Sequence, residues 1–241
     1  MPGRAEGGAA VAVVIPAYQA AATIADVVSR THRAVPNAIV YVVDDGSSDG
    51  TGAKAEKMLA GRGRRISVLI HPRNRGKGAA LATGIAAALQ DGAGVIVTLD
   101  ADGQHPPEEI PRLARPVLEA GADVVLGARA RTGSMPVGRR CTNWLSGVLA
   151  SRVGGTRVPD AQTGFRALSR RAAQVVQPAE GRYAFELAFL LEALARGLRV
   201  VSVSVPTIYE GGPSHFRRWT DTWRLARVFT RYGRRIVFGA P

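Results

Sequence analysis

Two carboxylates one residue apart, Asp100 and Asp102, end the apolar run Val95 to Leu99 and are the residues best placed to do chemistry. In an extended chain alternate side chains share a side, so the pair would face the same way. Placed so, the two repel, and one stays protonated unless a cation sits between them. A hard divalent ion such as Mg2+ or Mn2+ takes oxygen ligands and bridges readily to a substrate phosphate. Gln104 offers a neutral oxygen two residues further on. Pro106 and Pro107 then stop the strand, and Glu108 and Glu109 suit a first helical turn. Taken alone, the stretch fits an acidic helix-capping turn as well as a metal site, so the choice falls to the elements around it.

Those elements alternate. Ala9 to Ile15 is an apolar, β-branched run that meets Pro16 and reads as a central parallel strand, followed by helical spacing over Ala20 to Arg33. Strands are predicted at Ala38 to Val43, Ile66 to Ile70, Val95 to Leu99 and Asp123 to Leu126. Helices follow them at Thr51 to Ala60, from Gly78 to about Gln90, and at Pro111 to Ala120. Such alternation implies a parallel sheet with helices on both faces. Ligands of such sheets bind beyond the carboxyl ends of the strands. Here those ends carry Pro16 and Tyr18, Asp44 and Asp45, Arg75 and Lys77, Asp100 and Asp102, and Arg129. The unusual polar residues thus converge on one edge. Neither a GxGxxG fingerprint nor a GxxxxGK[ST] loop follows a strand, which argues against hydride transfer and against a P-loop ATPase.

After Arg129 the alternation stops. An amphipathic helix is expected over Val137 to Val153, with Trp144, Leu145, Val148 and Leu149 on one face. Pro159 to Arg166 reads as a loop, Ala184 to Arg196 as a helix, and Val200 to Val205 as a half-exposed strand. Trp219 to Phe238 reads as a basic helix, the one appendage, so that residues 1–215 form a single domain and 216–241 a basic amphipathic C-terminal helix.

Composition narrows the function further. The 241 residues are 46% hydrophobic, ample for a core, and no apolar run reaches the length of a membrane span. Residues 1–8 lead into no signal-peptide core, so the chain is expected in the cytosol. One cysteine, Cys141, leaves no intrachain disulfide and no multi-cysteine zinc site. The net charge of +13 is segregated: Arg129 to Arg171 holds nine Arg against one Asp, Gly211 to Pro241 seven Arg against one Asp, and the remainder is nearly neutral. Such a basic second half suits a polyanionic partner.

The chain resembles the family 2 glycosyltransferases of GT-A fold. Within them it is similar to the dolichol-phosphate mannosyltransferase and polyprenyl-phosphate glycosyltransferase group. The resemblance rests on Ile15-Pro16-Ala17-Tyr18, on Asp44-Asp45-Gly46-Ser47-Ser48-Asp49-Gly50-Thr51, on Arg75-Gly76-Lys77-Gly78-Ala79-Ala80, on Asp100 to Pro107 and on Asp160 to Arg166, in family order over about residues 10–215. It implies a Rossmann-like, mostly parallel sheet flanked by helices, and inverting transfer from a nucleotide-diphosphate sugar. By that likeness Pro16, Tyr18, Asp44, Asp45, Arg75, Lys77, Asp100 and Ala101 hold the nucleotide sugar, with Asp44 or Asp45 toward the base and Asp100 toward the ribose. Asp102 and Gln104 hold the metal, Mg2+ or Mn2+, on the diphosphate.

Asp160 matches the first residue of the family motif Asp-x-x-Ser-Gly-Phe-Arg, with Thr163 in place of Ser. It would act as general base on a hydroxyl acceptor, or would orient the acceptor or a neighbouring Arg if the nucleophile is a lipid phosphate. Arg129 and Arg140 match arginines that contact a lipid phosphate in similar enzymes. Ser214 is retained from the acceptor motif, while His215 stands where Lys is expected and Glu210 lies near an expected Arg. The expected acceptor is a polyprenyl phosphate or other lipid-linked group at the cytosolic face of a membrane. The Arg- and Trp-containing terminal helix would rest on anionic lipid there, pack on the domain with its Arg facing water, or do both. A soluble hydroxyl acceptor is the alternative. A non-catalytic module binding nucleic acid or membrane is the alternative of another class, and it would leave the acidic constellation without a use.

Overall fold

In the computed structural model of the chain, the residues described are 10–58, 65–129, 146–148, 150–152, 155, 158–176 and 184–206. Their strands form one seven-stranded sheet, ordered β3-β2-β1-β4-β6-β5-β7. β1 (Val11–Ala17) lies in its interior, between β2 (Ile39–Asp44) and β4 (Val95–Thr98), parallel to both. β3 (Ile66–Ile70) extends the parallel set on one side. On the other side β6 (Arg166–Ser169) runs antiparallel between β4 and β5 (Val124–Arg129), and β7 (Val200–Val205) pairs in parallel with β5.

The helices cover both faces, as the alternation requires. Along β1 the side chains part by turns: Val13 and Ile15 join α1 (Ile24–Ala34), α2 (Thr51–Lys57) and α4 (Ile110–Ala120) in one core. Ala12 and Val14 join α3 (Lys77–Gln90), α5 (Arg170–Val175) and α6 (Ala184–Ala195) in the other. Strands buried on both faces carry no polar positions for alternation to show, which is why they read as continuous apolar runs. β7 is a sheet edge and alternates, with Ser202 and Ser204 partly or fully exposed, as its sequence predicts.

The first half of the chain folds as expected, with adjustments of a few residues. β1 does not end at Pro16 but runs through it to Ala17. The pairing of β1 with β4 ends at Val14 opposite Thr98, whereas its pairing with β2 continues to Ala17 opposite Asp44. Pro16 therefore sits where one side of the strand has no ladder to support, and its missing N–H costs nothing there. In the second half, the expected loop over Pro159 to Arg166 gives way at Arg166 to β6, and α5 follows; neither element stood out in the sequence. β6 is four residues long and begins on an arginine, so its apolar signal is short. Its place is set by the gap between β4 and β5, which it fills. Of the helix expected over Val137 to Val153, residues 146–148 and 150–152 are described and helical. The basic helix from Trp219 lies outside the described residues.

Candidate active site

The carboxyl ends of β1, β2 and β4 and the amino end of α3 meet along one edge of the sheet. The loops there are tied by their own side chains. Gln19 takes a left-handed φ of 52° beside the exposed Tyr18. Its N–H donates to Ser47 Oγ at 3.0 Å and its side-chain amide to Ser48 Oγ at 2.9 Å. The N–H of Ala20 donates to Thr51 Oγ1 at 2.8 Å, and that of Ala21 to Asp49 Oδ2 at 2.9 Å. These four bonds clip the loop after β1 to the loop after β2. Left-handed backbone at a non-glycine residue is uncommon and tends to gather at functional sites.

Asp44 and Asp45 are both buried, and they differ in what they touch. Asp44 Oδ1 accepts from Ser47 N at 3.0 Å and from Ser47 Oγ at 2.5 Å. Its Oδ2 lies against Gly52, where a Cβ would come within 2.6 Å. Asp45 Oδ1 meets His71 Nδ1 at 2.7 Å and accepts from Arg75 N at 2.9 Å, while Oδ2 accepts from Gly76 N at 2.7 Å. His71 Nε2 in turn meets Thr83 Oγ1 of α3 at 3.0 Å. Asp45 thus acts on the loop leading into α3 and holds Lys77 in register. The Arg75 side chain is exposed, and the residue's bond to the site is through its backbone.

Lys77 joins the two halves of the chain. Its Nζ lies 2.7 Å from Asp100 Oδ1 and 2.6 Å from Glu186 Oε1. Burial pulls the pKa of this ammonium down, but the charges of Asp100 and Glu186 more than offset that and hold it well above the ordinary lysine range. Asp102 is exposed at the turn beyond β4, and its Oδ1 accepts from the N–H of Gln104 at 3.0 Å. The carbonyl of Ala101 accepts from Thr23 Oγ1 at 2.6 Å, which fastens the acidic turn to the start of α1.

The second half closes over this edge. Thr98 Oγ1 donates to the carbonyl of Gly164 at 2.7 Å. A Cβ on Gly164 would lie 2.6 Å from both carboxylate oxygens of Asp100 and 2.8 Å from Lys77 Nζ, so only glycine lets the backbone come so near the ion pair. Asp160 is buried in the same loop. Arg166 is buried too, and its guanidinium donates to the carbonyls of Thr163 at 2.8 Å, Glu186 at 2.7 Å and Ala161 at 3.0 Å. Burial lowers its pKa to about 10, against the opposing charges of Glu186, Asp160 and Asp100, so it stays a cation at neutral pH. His105 stacks on Phe165 with ring centroids 5.3 Å apart, a second tie between the acidic turn and this loop.

The structure therefore assembles Pro16, Tyr18, Asp44, Asp45, Lys77, Asp100, Ala101, Asp102, Gln104 and Asp160 from strand ends, loops and the start of α3 on one edge. Arg129 ends β5, and its side chain is not described; Arg140, Ser214 and His215 lie outside the described residues. Two residues of the cluster, His71 and Glu186, were not singled out by sequence, and Arg166 entered there only as the last residue of the motif that begins at Asp160. Glu186 did leave a signal, as a lone carboxylate within the apolar run Ala184 to Leu191.

The donor set at the acidic turn, a carboxylate at Asp102 and an amide oxygen at Gln104, is all oxygen and suits a hard divalent ion. Among the described residues no group of three or more His, Cys, Asp and Glu side chains gathers as a metal cage. The residues fit an ion whose shell is completed by substrate phosphates, the usual habit of Mg2+ at nucleotide sites.

Residues 12–176 match Glycosyl transferase family 2. The chain is 33% identical over 201 residues to the polyprenol monophosphomannose synthase of Mycolicibacterium smegmatis, covering 80% of this chain and 75% of that one. It is 31% identical over 202 residues to the undecaprenyl-phosphate mannosyltransferase of Micrococcus luteus, covering 81% and 82%. Identity is 30% over 214 residues to the UDP-N-acetylglucosamine–dolichyl-phosphate N-acetylglucosaminyltransferase of Methanococcus voltae, covering 82% and 85%. Among solved structures, glucosyl-3-phosphoglycerate synthase of Mycobacterium tuberculosis superposes with a TM-score of 0.73 at 24% identity, covering 94% of this chain and 81% of that one. That protein was crystallised with Mn2+, UDP and glucosyl-3-phosphoglycerate.

Proposed function

Because the chain belongs to glycosyl transferase family 2, we propose that it moves a sugar, with inversion, from a nucleotide-diphosphate sugar to a polyprenyl phosphate or other lipid-linked acceptor at the cytosolic face of a membrane. The observation that carries this reading is the junction at Lys77. There the loop after β4, with its two acidic residues, meets the loop holding Asp160 across Gly164. Relatives named for polyprenyl and dolichyl phosphates support the acceptor class.

In this reading Asp44 and Tyr18 line the nucleoside side, and Asp45 contributes by holding the loop into α3. Asp100, steadied by Lys77, takes the ribose. Asp102 and Gln104 would hold Mg2+ or Mn2+, which when bound supplies positive charge at the departing diphosphate. The acceptor oxygen forms a bond to the anomeric carbon on the face opposite the diphosphate. The bond from that carbon to the diphosphate oxygen breaks, and the oxygen leaves with the electron pair. A lipid phosphate is already an anion, so no residue need remove a proton. Asp160, beside Arg166, then serves to orient the acceptor. With a hydroxyl acceptor, Asp160 would instead take the proton.

Binding and transfer test the proposal. UDP, GDP and their common sugars are added with and without Mn2+, and the melting temperature is followed. At a hundredfold excess over its Kd a ligand adds about 2.7 kcal/mol of stability. One nucleotide is expected to stabilise the wild type only with metal, to lose that effect in Asp102→Ala, and to donate its sugar to undecaprenyl phosphate. Stabilisation by no nucleotide overturns the reading. Transfer to a soluble alcohol alone, abolished in Asp160→Asn, replaces the lipid acceptor by a hydroxyl one.

A further inference from the structure

Glu186 belongs to none of the motifs that mark the site. It lies in the first turn of α6, in the part of the chain beyond the antiparallel strand, where the helix is otherwise packed with Phe185, Leu187, Ala188 and Phe189. A carboxylate is rarely placed in such a setting unless it is paired. Its partner is Lys77 at the start of α3, 2.6 Å away, and Lys77 reaches Asp100 at 2.7 Å on its other side. The backbone carbonyl of Glu186 is held as well, accepting from Arg166 Nη1 at 2.7 Å. One residue thus grips the lysine of the donor side with its carboxylate and the arginine of the Asp160 loop with its main chain.

We infer that Glu186 is a positioning residue for donor binding, whose carboxylate draws the Lys77 ammonium to a fixed place beside Asp100. The inference rests on the reading of Lys77 and Asp100 as donor-binding residues. The geometry leaves Lys77 little alternative. Gly164 packs against the ion pair so closely that a methyl group would touch both partners, and the lysine is closed in on that side. Without Glu186 the ammonium keeps one carboxylate of two, and its four-carbon stem regains rotamer freedom. The positive charge beside Asp100 would then take a range of positions rather than one. Because the nucleotide is gripped alike in the ground state and the transition state, the loss falls on donor affinity and leaves turnover nearly unchanged.

The experiment is a double-mutant cycle of Glu186→Gln and Lys77→Met, read by calorimetric titration with UDP and GDP in the presence of Mn2+ and by donor KM and kcat. The glutamine keeps the size of the side chain and removes its charge. In the wild-type background Glu186→Gln is expected to weaken nucleotide binding about tenfold, the loss of one charge-assisted contact, and to change kcat less than about twofold. In the Lys77→Met background the same change is expected to have no further effect, since there is no ammonium left to place. This second comparison is made between Lys77→Met and the double variant, so it also stands if Glu186→Gln alone folds poorly.

A tenfold loss in both backgrounds would make Glu186 a packing residue and overturn the inference. So would unchanged affinity in Glu186→Gln when the wild type binds nucleotide, with the proposed function left standing. A wild type that binds neither UDP nor GDP overturns both.

Discussion

Single residues at this edge divide between those that present oxygen to a ligand and those that hold the presenters. In our reading Asp102 and Gln104 belong to the first kind. Asp45 belongs to the second, although it stands beside Asp44 in the same acidic loop. Its two oxygens accept from Arg75 N and Gly76 N and meet His71 Nδ1, so every donor around it expects an acceptor. Asn at this position would turn an NH2 group toward one of those donors and leave buried groups unpaired. Asp45→Asn is therefore expected to lower unfolding stability by roughly 2–3 kcal/mol, measured by urea denaturation. It should also weaken nucleotide binding, because the loop it anchors leads directly to Lys77.

At the scale of elements, the acidic turn is held from both ends. The carbonyl of Ala101 takes the hydroxyl of Thr23 near the start of α1, and Arg30 of the same helix forks onto Glu108 at 2.9 and 2.8 Å, just before α4. That hydrogen-bonded fork keeps the Glu108 carboxyl below its ordinary pKa and the Arg30 guanidinium above its own. A depressed carboxylate contributes stability that is present above its unfolded pKa, about 4.3, and is lost as pH falls through the folded value. Wild type is thus expected to exceed Glu108→Gln in stability at neutral pH, and the two should converge as the pH drops below about 4. Glu108 is largely exposed, so the neutral-pH difference should be no more than about 1 kcal/mol. Thermal melts across the acid range measure both.

On the scale of the whole molecule, charge is unevenly divided. The half built around the acidic loops is nearly neutral, while Arg accumulates from Arg129 to Arg171 and again beyond Gly211. Among the described residues no helix is long and apolar enough to cross a membrane. In our reading the Arg-rich segment beyond Gly211 meets anionic lipid from the surface. Binding of the full chain to vesicles containing phosphatidylglycerol is then expected to be strong at low salt. It should fall steeply as the Debye length shrinks from about 30 Å at 0.01 M to about 8 Å at 0.15 M. Sedimentation with neutral vesicles should recover little protein at either salt.

Local sequence was enough to place the parallel part of the sheet and the edge at which its polar loops gather. Those features follow from local signals: apolar runs about as long as strands, helical spacing between them, and the rule that such loops collect at the strands' carboxyl ends. It also marked Lys77, Asp100, Asp102 and Asp160 one by one, since each lies in a motif only a few residues long. Tertiary structure alone decided how these residues are joined. The placing of β6 between β4 and β5 brings Gly164 onto the Asp100–Lys77 pair. The packing of α6 brings Glu186 to Lys77, and the buried Arg166 binds both regions. Each of these contacts links positions far apart in the chain, where neither spacing nor propensity carries information. Each depends on a backbone brought close enough for a charge to be buried only because its partner is already there.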